Sequence, residues 1–288
     1  MRAHKRRAAP GFAEAAFLHR RAAEDLAERL EAIPRDFTRV LIYGAPALMA
    51  EAIAARPALA ARIGAITFAD ASPALVARGL AFAPDAWPFA PESFDLIVSP
   101  LALHWANDLP GALIQARRAL APDGLFLATL FGGETLMELR LALIEAESEI
   151  LGGVSPRIAP FAELQDLAGL LQRAGFALPA ADKDRVTVRY GEPLRLFADL
   201  RAMGETNALA ARATHTLSKR LLARTLEAYR ERASDPDGRV RASFDLMTLT
   251  GWAPHASQQQ PLRPGSAKTR LAAALGVEER SAGEKPNG

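Results

Sequence analysis

The chain has 288 residues, half of them apolar, enough to bury one large core in a single elaborated α/β domain. Its 35 basic and 33 acidic residues leave a formal charge of +2, too even a balance to point to nucleic acid as a partner. With no cysteine, disulfides, thiolate nucleophiles and cysteine-ligated zinc or iron–sulfur centres are excluded.

The basic stretch from Met1 to Arg7 reads as the frayed start of a helix, because Glu14, Glu24, Asp25 and Glu28 soon interrupt any resemblance to a mitochondrial presequence. Residues 12–33 favour a helix with Phe12, Ala16, Leu26 and Leu30 facing inward, and Pro34 stops it. Short apolar runs then alternate with helical segments: 40–43 then 46–55, 65–68 then 73–78, 94–99 then 109–120, and 125–131 then 135–150. This alternation predicts βαβ units on a parallel sheet, and the nearly continuous apolar runs fit strands covered on both faces. Ala121-Pro122-Asp123-Gly124 reads as the turn that ends one helix and starts the next strand. Further on come a helix over 161–174, an alternating strand over 184–190, helices over 193–203 and 217–233, and a last strand over 242–249. The two late strands read as an antiparallel edge pair with a helical lid inserted between them, which predicts seven strands in the order 3-2-1-4-5-7-6. The domain organisation expected is a helical segment at 1–36, an α/β domain at 37–252 with its insertion at about 192–235, and an irregular to disordered tail at 253–288. No apolar run is long enough to span a bilayer, and the arginine and alanine bias suggests a GC-rich bacterial genome, so a cytoplasmic bacterial protein is expected. The oligomeric state is not legible.

In an open parallel sheet, ligands bind beyond the carboxyl ends of the strands near the reversal of strand order. The second predicted strand ends at Asp70, followed by Ala71-Ser72-Pro73, where a carboxylate either grips a nucleoside ribose or caps the next helix. The fourth strand and its exit run Ser93-Phe94-Asp95-Leu96-Ile97-Val98-Ser99-Pro100-Leu101-Ala102-Leu103-His104-Trp105-Ala106-Asn107-Asp108-Leu109. With Phe131-Gly132-Gly133-Glu134-Thr135-Leu136, Arg173-Ala174-Gly175-Phe176, Met203-Gly204-Glu205-Thr206-Asn207 and Gly265-Ser266-Ala267, this stretch resembles the mitochondrial complex I assembly factor 5 family and its proteobacterial relatives. It is similar, more distantly, to the malonyl carrier-protein methyltransferases of biotin synthesis. The resemblance implies an α/β, Rossmann-like class I methyltransferase fold, S-adenosylmethionine as cofactor, and a protein substrate among complex I subunits, the mitochondrial member being regarded as an arginine hydroxylase.

The first glycine loop departs from that family. Its pattern Leu-Asp-Leu-Gly-Cys-Gly is replaced by Leu41-Ile42-Tyr43-Gly44-Ala45-Pro46, so only Gly44 remains, and Pro46 has no N–H to offer a carboxylate. The family's adenine-side aspartate falls on Ala83, with Asp85 close by as a substitute. Gly44, Asp70, Asp85 and Ser99 are therefore the expected cofactor residues, and cofactor binding is expected to be weakened or lost.

His104, Trp105, Glu134 and Asn207 are the expected substrate-side residues. His104 reads either as a general base or as a histidine packed beside a buried indole. Glu134 reads either as a flap carboxylate for a cationic side chain or as a helix-entry acid, and the segment holding Asn207 as a lid element or a helix-terminating turn. An iron-dependent hydroxylase needs two histidines and a carboxylate on one metal, and no such pattern accompanies His104, so no metal is expected. Three functions follow: a methyltransferase-family enzyme modifying or helping assemble a complex I subunit, a non-catalytic assembly factor with a degenerate cofactor site, or methyl transfer to a malonyl carrier protein.

Overall fold

The computed structural model describes residues 1–76, 78–210, 212 and 216–259. Met1–Pro254 forms one compact unit, and His255–Gly288 is divided from it as a second. Gly265-Ser266-Ala267 and the remainder of the expected tail from 260 lie outside the described residues.

Strands β1 (Phe37–Tyr43), β2 (Ile63–Asp70), β3 (Leu80–Ala81), β4 (Phe94–Pro100), β5 (Leu120–Gly132), β6 (Ala177–Tyr190) and β7 (Val240–Trp252) form one sheet in the order β3-β2-β1-β4-β5-β7-β6. The first five pair in parallel; β7 inserts antiparallel between β5 and β6, from Leu125↔Trp252 to Gly132↔Asp245 on one side and up to Tyr190↔Val240 on the other. The expected order and the reversed edge pair are both found.

Residue parity along the strands builds the two faces. Val40 and Ile42 of β1 join Leu96, Val98, Leu125 and Leu127 on the face covered by helices Phe17–Glu31 and Pro46–Ala54. Leu41 and Tyr43 join Ile97, Phe126 and Ala128 on the other, covered by helices Leu109–Ala119 and Leu164–Arg173. Each fully buried aliphatic side chain contributes about 1.5–3 kcal/mol, so runs with neither face wet are stable only inside such a sandwich. Helices Met137–Leu151, Pro193–Ala202 and Lys219–Ala233 pack a third cluster around Phe244 and Leu246 of β7.

Several local expectations are corrected. The helix expected over 73–78 is a single 3-10 turn, Pro73–Leu75, with the Ser72 side chain accepting from the Ala74 N–H. Ala121–Gly124 is not a separate turn but lies inside β5, where Leu120 already pairs with Phe94 and the register shifts before Leu96. Asp123 takes φ +59 there, and the left-handed residue absorbs the irregularity. The long first helix is broken at Ala16. Most consequential, the supposedly frayed start is an ordered helix, Arg2–Ala8, whose Lys5 is only 1% exposed.

Candidate active site

The tips of β1, β2 and β4 close on one another. The Gly44 N–H donates to the Ala69 carbonyl, and at φ +94 a Cβ on Gly44 would collide with that of Ala102, so glycine is required by packing. Asp70 is 1% exposed and both its oxygens are engaged: Oδ1 accepts the Ser72 N–H at 2.8 Å and Oδ2 the Ala45 N–H at 3.3 Å. Burial pushes its carboxyl up, opposed by the charge of Lys5 and by these two N–H groups. Ser99, fully buried, donates its hydroxyl to the Tyr43 carbonyl at 2.9 Å. Asp85 stands further out and braces the chain after Trp105, accepting from the Asp108 N–H at 3.0 Å and Asn107 Nδ2 at 3.4 Å. Gly44, Asp70 and Ser99 thus stand at the strand tips, each with backbone hydrogen bonds inside the protein, and the Asp70 oxygens, accepting one N–H each, keep lone pairs for further donors.

The exit from β4 is built differently. Leu103–Trp105 is a 3-10 turn that buries His104 and Trp105 against Phe131 and Phe161. Both rings meet the carboxylate of Glu205, which follows the helix Pro193–Ala202: His104 Nε2 lies 2.8 Å and Trp105 Nε1 2.6 Å from Oε2. The other oxygen accepts from Lys5 Nζ at 2.8 Å, and His19 Nε2 lies 3.1 Å away. All five side chains are almost wholly removed from water. Burial pushes Glu205 up, but Lys5 and the two histidines override it and hold its carboxyl well below the usual range. Burial, then the charge of Lys5, pushes His19 down to about 4; burial also lowers His104. The His104 Nδ1 is buried and has no hydrogen-bond partner among the described residues.

Two cavities flank this pair. One of about 420 Å³ is walled by His104, Leu130, Phe131, Phe161, Leu167 and Leu209, and a smaller one of about 190 Å³ by Trp105, Phe161, Leu200, Glu205 and Asn207. Asn207 Nδ2 donates to the Pro156 carbonyl at 3.0 Å. Glu134 is elsewhere, paired with Arg185 of β6, whose Nε also reaches Asp245 Oδ1 at 2.6 Å. The structure thus joins His104 to Trp105 and sets Asn207 beside Trp105, but leaves Glu134 apart. Lys5, His19 and Glu205 were missed as site residues; Glu205 stood in a quoted motif, and the others had no local signal. Two histidines and a carboxylate do meet here, yet among the described residues no group of three or more such side chains is placed to hold a metal ion. No helix among the described residues is long and apolar enough to cross a membrane.

A parallel sheet closed by a reversed strand pair, with its candidate site at the strands' carboxyl ends, defines the class I methyltransferase fold. A family model described as a methyltransferase domain matches residues 53–128. The chain belongs to the NDUFAF5-like family of methyltransferase-domain proteins, to which the malonyl-(acyl-carrier protein) O-methyltransferases are more distant relatives. Arginine-hydroxylase NDUFAF5, mitochondrial, of Dictyostelium discoideum is 41% identical over 186 residues, 65% of this chain and 43% of that protein. The chain spans about half the length of the NDUFAF5 relatives it matches. Malonyl-(acyl-carrier protein) O-methyltransferase of Halorhodospira halophila is 35% identical over 261 residues, 86% of this chain and 85% of that protein. The YcgJ protein of Bacillus subtilis shares the fold, with a TM-score of 0.53 at 16% identity over 80% of this chain and 98% of that one.

Proposed function

We propose that this chain is a protein-directed factor of the NDUFAF5 type, modifying or helping to assemble a subunit of respiratory complex I. In this reading His104 meets the substrate, and the protein holds S-adenosylmethionine weakly. The carrying observation is the contrast between two neighbouring groups. Asp70 is buried and accepts two backbone N–H groups, whereas His104 lines a cavity of about 420 Å³. A cofactor carboxylate would also meet Pro46, which has no N–H, in place of a glycine loop. The relatives named arginine hydroxylases support the protein substrate. The cofactor arm is tested by calorimetric titration with S-adenosylmethionine, with a Kd weaker than about 0.1 mM expected; low-micromolar binding would sink it. The substrate arm is tested by deleting the gene, with loss of assembled complex I expected and normal assembly the contrary result.

A second reading is methyl transfer to a malonyl carrier protein, favoured by the relative matched over 85% of its length. Transfer of a labelled methyl group to malonyl carrier protein by the purified chain separates this reading from the first.

A further inference from the structure

The helix Arg2–Ala8 lies across the strand exits. On one side it touches Pro73–Leu75, the turn that follows β2 and Asp70. On the other it is tied to the segment after the helix Pro193–Ala202: Lys5 Nζ donates to Glu205 Oε1 at 2.8 Å, and His4 Nδ1 lies 2.7 Å from the Thr206 hydroxyl oxygen. Glu205 in turn holds His104 and Trp105 at the exit of β4. In the sheet β1 stands between β2 and β4, so a helix joined to both of their exits passes over the exit of β1, where Gly44 and Ala45 follow Tyr43. The dimensions agree: two strand spacings make about 10 Å, and seven helical residues are about 10 Å long.

The exits beneath are closed to water. Asp70 is 1% exposed, Ala71 2%, Ser72 0% and Ala45 3%, at the place where an open α/β sheet binds its ligands. The Lys5 ammonium is near enough to act on the Asp70 carboxyl through space. The hydrogen bonds from the helix's side chains go to His19, Glu205 and Thr206, so against Pro73–Leu75 it is seated by packing. Two places let the chain turn. Gly11 has nothing within 4 Å of where a Cβ would stand, and the helix that follows breaks at Ala16.

We infer that the helix Arg2–Ala8 is a plug: seated, it closes the exits of β1 and β2 to a nucleoside cofactor, and it must leave Pro73–Leu75 before the free lone pairs of Asp70 accept ribose hydroxyls. The inference rests on the cofactor reading proposed above and adds a cause for weak binding besides the altered glycine loop. Apparent affinity is the intrinsic affinity scaled by the open fraction, so a plug that is seated most of the time weakens binding without any loss of the residues that bind.

The chain has no cysteine, so one engineered pair locks the helix without competition. A Cβ on Gly204 would stand 3.3 Å from that of Ala8, close to the separation of about 3.5–4.5 Å across a disulfide, and the double variant Ala8→Cys, Gly204→Cys places sulfur on both. S-adenosylmethionine and S-adenosylhomocysteine are titrated by calorimetry into the full chain, into this variant oxidised and reduced, and into Lys5→Met. The reduced form is expected to bind at least about tenfold more tightly than the oxidised form, and Lys5→Met more tightly than the unaltered chain. Tryptic cleavage of the unaltered chain at the exposed Arg6 and Arg7 is expected to quicken severalfold in S-adenosylhomocysteine at several times its measured Kd, because a ligand that needs the helix displaced favours the displaced state. Should the variants fail to fold, this cleavage decides. Equal affinity of the oxidised and reduced forms, weaker binding by Lys5→Met, or no binding to any form overturns the inference. Slower cleavage with the cofactor overturns it as well, since the helix would then close over the ligand instead of excluding it. Low-micromolar binding by the unaltered chain ends the weak-binding reading, and the ratio between the oxidised and reduced forms still decides this one.

Discussion

Replacing Lys5 by Met tests whether the helix Arg2–Ala8 is truly keyed into the core. Lys5 and Glu205 are 1% and 0% exposed at the side chain and 2.8 Å apart, and removing one partner of such a buried pair costs about 3–5 kcal/mol. Glu205 would keep its contacts with His19, His104 and Trp105, which moves the expected loss toward the lower end, about 3 kcal/mol. Methionine retains the apolar stem but forfeits the ammonium 5.4 Å from the Phe12 ring, worth about 0.5–2 kcal/mol. Against a domain stability of about 5–15 kcal/mol this is a large fraction. The assay is urea unfolding at pH 7, with a lowered midpoint at unchanged slope. Adding Glu205→Gln to Lys5→Met is expected to restore part of the loss, since no buried charge then lacks its counter-charge. The pH dependence has a definite sign. Native Glu205 titrates well below 4.5, so its contribution is present above that value and fades as pH falls; without Lys5 it protonates more readily, and the deficit of the variant narrows in acid. A loss under about 1 kcal/mol at pH 7 would mean that Lys5 is not held in the core, since exposed pairs contribute no more than that.

Three further outcomes are expected. His19 falls to about 4 in the folded chain from 6.5, so the unfolded state binds the extra proton first and stability is lost between pH 6.5 and 4, by on the order of 3 kcal/mol; a flat profile there, read by thermal unfolding, would contradict the burial of His19. Gly204→Ala is expected to cost about 1–2 kcal/mol, because φ is +72 and the new Cβ would stand 3.2 Å from Lys5 Cδ and 3.3 Å from Ala8 Cβ; faster tryptic cleavage at Arg6 and Arg7 is the accompanying sign that the helix has loosened. Asp245→Ala is expected to cost about 1–3 kcal/mol, since its buried carboxylate accepts from Arg185 and the Glu134 N–H, whereas Glu134→Ala, at a half-exposed pair, is expected to cost less than about 1 kcal/mol; equal losses in chemical denaturation would place the Arg185 anchor wrongly.

Periodicity and punctuation located six of the seven strands, missing the two-residue β3 (Leu80–Ala81), while the strand order rested on the methyltransferase-like pattern. The alternation of apolar runs with helices predicted the parallel strands, and the polar alternation over 184–190 with the apolar run at 242–249 predicted the antiparallel pair. These signals are local, each confined to a segment of one period, and so survive without knowledge of the neighbours. His104 and Trp105 were legible because the exit of a central strand is where an open α/β sheet places its chemistry. The environment of the site was not legible. Lys5 sits in a basic run whose ordinary reading is a solvated helix start, and Glu205 follows a helix where a turn is expected; neither has a local reason to be buried. Burial becomes tolerable only when the two meet, 200 residues apart, with His19, His104 and Trp105 completing the carboxylate's partners. Glu134 reads from the sequence either as a flap carboxylate for a cationic side chain or as a helix-entry acid, and nothing local points to its partner Arg185, on an edge strand 51 residues away. The sequence by itself located most of the strands and helices and the strand ends that could carry chemistry. Only the tertiary structure decided which charges are buried, because the free energy of a buried charge depends on partners brought together from distant segments and not on the residues beside it.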